Sequence, residues 1–159
     1  MRMRILCIGK LKERFYKDAC AEFYKRLSRY AELEIVELPD EKAPEQLSEA
    51  QKAQVKAAEG NRMLARISEG EQVVALDIAG EQLSSPQLAA RMQGWLNSGK
   101  SRLCFLIGGS LGLAPEVLDR ADARISFGPP TFSHQIFRVM LLEQLYRACK
   151  INAGEPYHK

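Results

Sequence analysis

The sequence has two histidines and four cysteines among 159 residues. Metal centres of zinc and its neighbours draw on clustered His, Cys and carboxylate ligands, so two histidines exclude a multi-histidine centre, and no metal is expected. Cys7, Cys20, Cys104 and Cys149 are far apart and contain no CxxC pair. Reduced thiols in a cytoplasmic protein are therefore the expected state. No stretch approaches the ~20 apolar residues of a membrane span, so no membrane partner is expected. Met1-Arg2-Met3-Arg4-Ile5-Leu6-Cys7 lacks the long apolar region and small-residue cleavage site of a secretory signal. Internal repeats and low-complexity tracts are absent as well. What is present is 46% hydrophobic and 27% charged, an ordinary globular composition. The length suits one domain over residues 1–159, without an accessory domain.

The net charge of +3 hides an uneven distribution. Residues 1–30 carry nine basic and three acidic side chains, residues 31–71 five basic and ten acidic. Residues 72–133 carry five of each, and residues 134–159 four basic and two acidic. Basic ends attract phosphates by counterion release and are candidate RNA-facing surfaces; a solvated helix face is the plainer alternative.

Apolar runs alternate with helical patterns, which predicts an α/β sandwich, a largely parallel sheet flanked by helices. Strands are expected at Met3–Ile8, Leu33–Leu38, Gln72–Ile78, Leu103–Ile107 and Ala123–Phe127. Phe15, Ala19, Phe23 and Leu27 recur at helical spacing, and a helix is expected over about 47–67, weakened by Gly60 at ~1 kcal/mol relative to Ala. Ala79-Gly80 is expected to be a turn. Ser85-Pro86 has the form of a helix start, with a hydroxyl cap followed by proline. Ala114-Pro115 opens another short helix. The last helix, about 133–151, is apolar around most of its circumference, which requires burial on more than one side and suits a dimer interface.

Four motifs carry candidate chemistry. Gly94 to Ser101 matches GxxxxGKS, but a phosphate loop leaves a strand and opens a helix, and here the order is reversed; the match is taken as chance. Gly108-Gly109-Ser110-Leu111-Gly112 follows a buried strand with GGxxG spacing, not the GxGxxG of a dinucleotide fold. Its glycines fit either a tight turn or a cofactor pocket at the carboxyl edge of the sheet. Asp77 ends a strand at that edge, as a base, a ribose ligand or a residue satisfied by a loop amide. The tail Gly154-Glu155-Pro156-Tyr157-His158-Lys159 joins an aromatic ring to cations, a combination suited to bases and phosphates, although terminal tails commonly fray. The cysteines lie in apolar settings and are read as core residues.

Taken together, Ile107 to Gly112, the run His134-Gln135-Ile136-Phe137-Arg138 through Ala148, the tail, Leu76-Asp77 and Asp40-Glu41-Lys42-Ala43-Pro44 resemble the RlmH (YbeA-like) family of SPOUT methyltransferases over essentially the whole chain. The resemblance implies a C-terminal trefoil knot, an exception to ordinary topology. It also implies S-adenosyl-L-methionine as cofactor and action as a homodimer on the assembled ribosome. The implied product is N3-methylated pseudouridine in the helix 69 loop of 23S rRNA. By matching positions, the cofactor contacts would be Leu76, Gly108 and the loop Phe127, Gly128, Pro129, Pro130, Thr131 and Phe132. Arg147, Tyr157 and His158 would serve catalysis, and His134, Arg138 and Lys159 the substrate. Family members usually have proline before the histidine; this chain has Ser133, with Pro129-Pro130 earlier in the loop. A sulfonium is already electrophilic, so the protein need only align donor and acceptor and favour loss of the N3 proton. A knotted methyltransferase with another RNA target, or a ribosome-binding protein without catalysis, are the alternatives.

Overall fold

The apolar runs become strands and the amphipathic segments helices, in strict alternation. In the computed structural model, which describes all 159 residues, the order is β1 (Arg2–Ile8), α1 (Arg14–Leu27), β2 (Glu32–Leu38), α2 (Glu49–Leu64) and β3 (Gln72–Gln82). Then follow α3 (Ser85–Asn97), β4 (Arg102–Ile107), α4 (Pro115–Arg120), β5 (Ala123–Ser126) and α5 (His134–Asn152). The five strands form one sheet in the order β2-β1-β4-β3-β5, and every neighbouring pair is parallel. The parallel sheet flanked by helices matches the expected fold class.

Side-chain alternation divides the core. Leu103, Phe105 and Ile107 of β4 pack with residues of α1, α3 and α5, while Cys104 and Leu106 pack with Met63 of α2 and Val117 of α4. A strand covered on both faces must be apolar throughout, which is why β4 reads as an unbroken run. Helix α5 meets both α1 and α3, so its wide apolar surface is largely used inside the chain; Leu141, Leu142 and Leu145 are fully covered and Ile136 stays exposed. All four cysteines are free and buried. Burial pushes the thiols of Cys7 and Cys104 up to about 12 and that of Cys149 to about 11, so they stay protonated and unreactive at neutral pH.

Three local expectations are corrected. Ala79-Gly80 is not a turn: β3 continues to Gln82. Its register against β5 shifts between Leu76 and Glu81, both of which align with Ile125. The four intervening residues are accommodated as an irregularity, and Gly80 lies against the β5 backbone; a Cβ there would be 2.8 Å from the Arg124 carbonyl carbon and the Ile125 nitrogen. The cap of α3 is Ser84, not Ser85: Ser84 and Gln87 form a reciprocal capping box, while Ser85 Oγ donates to Gln144 Oε1 (2.7 Å). Gly60 is not simply a weak point of α2. A Cβ would sit 3.0 Å from Val117 Cγ2 and 3.1 Å from Ala114 Cβ, so glycine there lets α2 approach the start of α4. The GxxxxGKS match is the end of α3 and the turn into β4, with Lys100 N donating to Trp95 O (3.0 Å).

Gly80→Ala is expected to destabilise the chain by about 1–3 kcal/mol, the usual range for overpacking. Urea unfolding measures it, and an unchanged midpoint would contradict the close β3–β5 approach.

Candidate functional site

Because all five strands are parallel, their carboxyl ends share one edge, the place where open α/β sheets bind ligands. On that edge β4, β3 and β5 are neighbours, with Ala75 opposite Leu106 and Leu76 opposite Ile125. Leu76, where β3 loses register with β5, thus lies beside the turn beginning at Gly108 and Phe127, which follow the ends of β4 and β5. The turn is closed by its own chain: Gly112 N donates to Gly109 O (3.1 Å), Gly112 has φ +83°, and a Cβ on Gly108 would meet the Gly112 carbonyl carbon at 2.8 Å. Close backbone packing therefore accounts for Gly108 and positive φ for Gly112. The loop from Phe127 to Phe132 is anchored on α5, Phe127 stacking on Phe137 (4.8 Å between centroids) with Phe132 at 6.4 Å. Gly128 N donates to Ser126 Oγ (3.1 Å), while Pro129, Pro130 and Thr131 are exposed. Asp77 is half-buried, with no side-chain hydrogen bond to the protein.

Two large clefts border this region. One, of about 620 Å³, lies between the start of α3, the end of β5 and α5; Phe127, Gly128, Met140 and Glu143 line it. The other, of about 630 Å³, lies between the end of β1, the segment after β2, α2 and the Gly109–Leu111 turn, with His134 in its wall. Neither takes in Leu76 or Gly108.

Helix α5 divides the remaining candidates between two faces. On one, Arg147, Tyr157 and His158 come together around Glu143. Glu143 Oε1 accepts from Arg147 Nη2 (2.6 Å) and from the Tyr157 hydroxyl (3.0 Å). The Arg147 guanidinium lies over the Tyr157 ring (4.6 Å) and approaches His158 Nδ1 (3.3 Å). A guanidinium only donates, so Nδ1 accepts and the proton of a neutral ring sits on Nε2. Tyr157 also meets Tyr146 edge-on (4.8 Å). Glu155 accepts from Tyr30 (2.9 Å) and Lys150 (2.6 Å). The tail is therefore fastened along α5; Lys159 at its end is exposed.

On the other face lie His134 and Arg138, one helical turn apart, and they do not join the tail cluster. Ser133 caps this end, its Oγ accepting from Ile136 N (3.4 Å). Arg138 is 3% exposed; it donates to Glu37 Oε2 (2.8 Å) and Gly9 O (3.3 Å), and its Nε has no partner. Burial would raise the Glu37 pKa, but Arg138, the Leu11 N–H and Lys10 together hold it low. Gly9, with φ +91°, passes His134 so closely that a Cβ would lie 3.3 Å from Nε2. Burial, then the nearby Arg138 charge, pushes the His134 pKa down, with Asp40 opposing and Lys12 adding to the fall.

Sequence reading missed Glu37 and Glu143. Only Glu143 carried a local signal, its spacing of one helical turn before Arg147. No three His, Cys, Asp or Glu side chains converge as a metal site, and no helix is long and apolar enough to cross a membrane.

Comparison with known proteins places this geometry in context. The family model described as "Predicted SPOUT methyltransferase" matches residues 1–158. A protein of Bifidobacterium animalis subsp. lactis named Ribosomal RNA large subunit methyltransferase H is 55% identical over 159 residues, the whole of both chains. The protein of the same name from Lactiplantibacillus plantarum is 52% identical over the same full length. Among solved structures, a probable methylase family protein of Haemophilus influenzae superposes with a TM-score of 0.55 at 13% identity, covering 99% of this chain and 70% of its own. The tRNA (m1G37) methyltransferase of Aquifex aeolicus does so with 0.55 at 15%, covering 100% and 75%. These two likenesses concern the fold alone.

In an NMR titration, His134 is expected to have a midpoint below 6.5, the direction set by burial and Arg138. Between that midpoint and 6.5 the unfolded chain binds more protons, so this contribution to stability declines as pH falls through the window. A midpoint above 6.5 would contradict the placement.

Proposed function

From the premise that the chain belongs to the SPOUT methyltransferase family, we propose that it is an S-adenosyl-L-methionine-dependent methyltransferase of 23S rRNA. The target is N3 of a pseudouridine in the helix 69 loop, on assembled ribosomes in the cytoplasm. The observation that carries this reading is the 55% identity, over the full length of both chains, to a protein named for ribosomal RNA methylation. Two further parts of the reading are a C-terminal trefoil knot and a homodimer in which each chain adds its basic ends to the RNA surface.

The residues fit the cofactor. Phe127 and Phe132, both partly exposed, offer apolar surface above the buried Leu76, and the Gly108 turn would bring backbone polar groups to the same region. When bound, S-adenosyl-L-methionine supplies a methyl group on a sulfonium. The strand ends hold the donor in line with the base, a contribution of orientation rather than of a protein nucleophile. The neutral buried thiols have no part in it.

Loss of the N3 proton leaves negative charge on the uracil ring, and Arg147 stabilises that anion or a neighbouring phosphate. Glu143 and Tyr157 hold the guanidinium in place. His158 removes the proton or orients the base. In the observed arrangement Nδ1 is occupied by Arg147, so Nε2–H faces outward as a donor and orientation is the role favoured. Tyr157 adds an aromatic surface and Lys159 a cation for RNA; His134 lines the second cleft and Arg138 fixes the start of α5 from beneath.

Arg147→Ala and His158→Ala are each expected to lower the single-turnover methylation rate on ribosomes by about ten-fold or more, while calorimetric affinity for S-adenosylhomocysteine stays within about two-fold. Wild-type rates in both variants would remove the tail from the chemistry. Failure of the wild-type chain to bind S-adenosyl-L-methionine would instead favour a ribosome-binding protein without catalysis.

A further inference from the structure

The start of α1 leaves an aromatic side chain outside the core. Phe15 stands on the four-residue spacing that leads to Leu27, yet it is 63% exposed, more than any other large apolar side chain. Its ring packs on that of the half-buried Tyr16, with centroids 4.4 Å apart and planes tilted by 50°. A single exposed apolar residue is ordinary; the setting of this one is not. Lys10, Lys12, Arg14 and Lys17 flank it in the chain, and all four are exposed. Of these cations Arg14 alone forms an ion pair, a long one to Asp18 (3.8 Å). Glu13 and Asp18 are the acidic residues of the same stretch.

The backbone here is fixed, and its position is informative. Strand β1 lies beside β4 with Cys7 opposite Ile107, so the segment from Gly9 to Glu13 leaves the sheet next to the Gly108 turn. Leu11 N donates to Glu37 Oε2 (3.2 Å) and Lys12 N to Gln135 Oε1 (2.8 Å), and the Leu11 side chain packs on the core. Glu37 is itself engaged by Arg138. The first turn of α1 has no acidic residue and no side-chain cap. Arg14 and Lys17 therefore stand near the positive end of the helix, where cations are disfavoured unless an anion compensates them. Unpaired RNA supplies both complements, phosphates for the cations and base faces for the ring. A second copy of this chain suits the patch poorly. A two-fold contact sets a patch against itself, so these cations would face cations, and interface centres are depleted of charge. Phe15 also stays outside the apolar cleft that holds Ile136 and Met140.

We propose that Phe15, backed by Tyr16, is a stacking platform for an unpaired base of the ribosomal RNA, with Lys10, Lys12, Arg14 and Lys17 on the flanking phosphates. The assignment rests on the rRNA methyltransferase reading and gives it a docking point separate from the chemistry. Arg147 lies twelve residues beyond Gln135, about 18 Å along α5. The base held by Phe15 is accordingly a neighbour of the methylated one, not that base itself. Every base has a π face, so the platform adds affinity and orientation and does not select a sequence.

The experiment follows single-turnover methyl transfer by the full-length chain as the ribosome concentration is varied, with S-adenosylhomocysteine calorimetry and sedimentation alongside. Phe15→Ala and Phe15→Leu are each expected to raise the half-saturating ribosome concentration about ten-fold, the loss of one stacked base. The maximal rate, the S-adenosylhomocysteine affinity and the sedimentation are expected to stay as in the wild-type chain. Phe15→Trp, which keeps a stacking face, is expected to restore binding. Lys12→Ala and Lys17→Ala are each expected to flatten the dependence of log affinity on log salt by about 0.7, the single-strand value. Unchanged half-saturation in Phe15→Ala would overturn the platform. So would full binding by Phe15→Leu, which points to an apolar contact with protein, or altered sedimentation, which points to an interface between copies. A loss confined to the maximal rate or to S-adenosylhomocysteine affinity would place Phe15 in the chemistry instead and overturn it as well. Absence of transfer by the wild-type chain would refute the rRNA methyltransferase reading. Fluorescence anisotropy with a labelled single-stranded oligouridine then judges the platform by itself: weaker binding by Phe15→Ala supports it, and equal binding overturns it.

Discussion

Parallel pairing of β4, β3 and β5 is the constraint on which the rest of the molecule depends. It puts the strands in one direction and fixes their order, so Leu76 at the register shift of β3 lies beside the Gly108 turn after β4 and Phe127 after β5. The irregularity in β3 preserves this arrangement. Both Leu76 and Glu81 align with Ile125, so β3 holds its partner before and after the displaced residues. Gly80 allows the two backbones to touch.

Helix α5 couples that edge to the tail. Near its start, the buried Arg138 guanidinium draws together Glu37 near the end of β2 and the Gly9 carbonyl after β1. Removing either charge would leave the other poorly compensated, so the pair specifies where α5 begins more than it adds net stability. Farther along, Glu143 gathers Arg147 and Tyr157, and the aromatic packing of Tyr157 on Tyr146 keeps the tail from fraying. One helix therefore positions two different sets of polar groups, with Glu143 at one cleft and His134 at the other.

Much of the fold was legible in the sequence because strands buried on both faces are written as unbroken apolar runs, as in Leu103–Ile107, and helices as four-residue spacings. The errors arose where local chemistry is ambiguous. Ala79-Gly80 has the composition of a turn, and only its contact with the β5 backbone explains why the strand continues. Ser84 and Ser85 both suit a cap, and Gln87 selects the first. At the site, the tail was legible as an unusual grouping of Tyr157, His158 and Lys159. The burial of Arg138 was not, since its partner Glu37 is 101 positions away and arginine usually lies at the surface.

The central claim is that Leu76 at the register shift of β3 and the adjacent ends of β4 and β5 form the floor of the cofactor site. A crystal structure of the chain with S-adenosylhomocysteine tests it most directly. The account predicts the ligand against Leu76, Gly108 and the loop from Phe127 to Phe132. Density confined to the cleft beside His134 would contradict it.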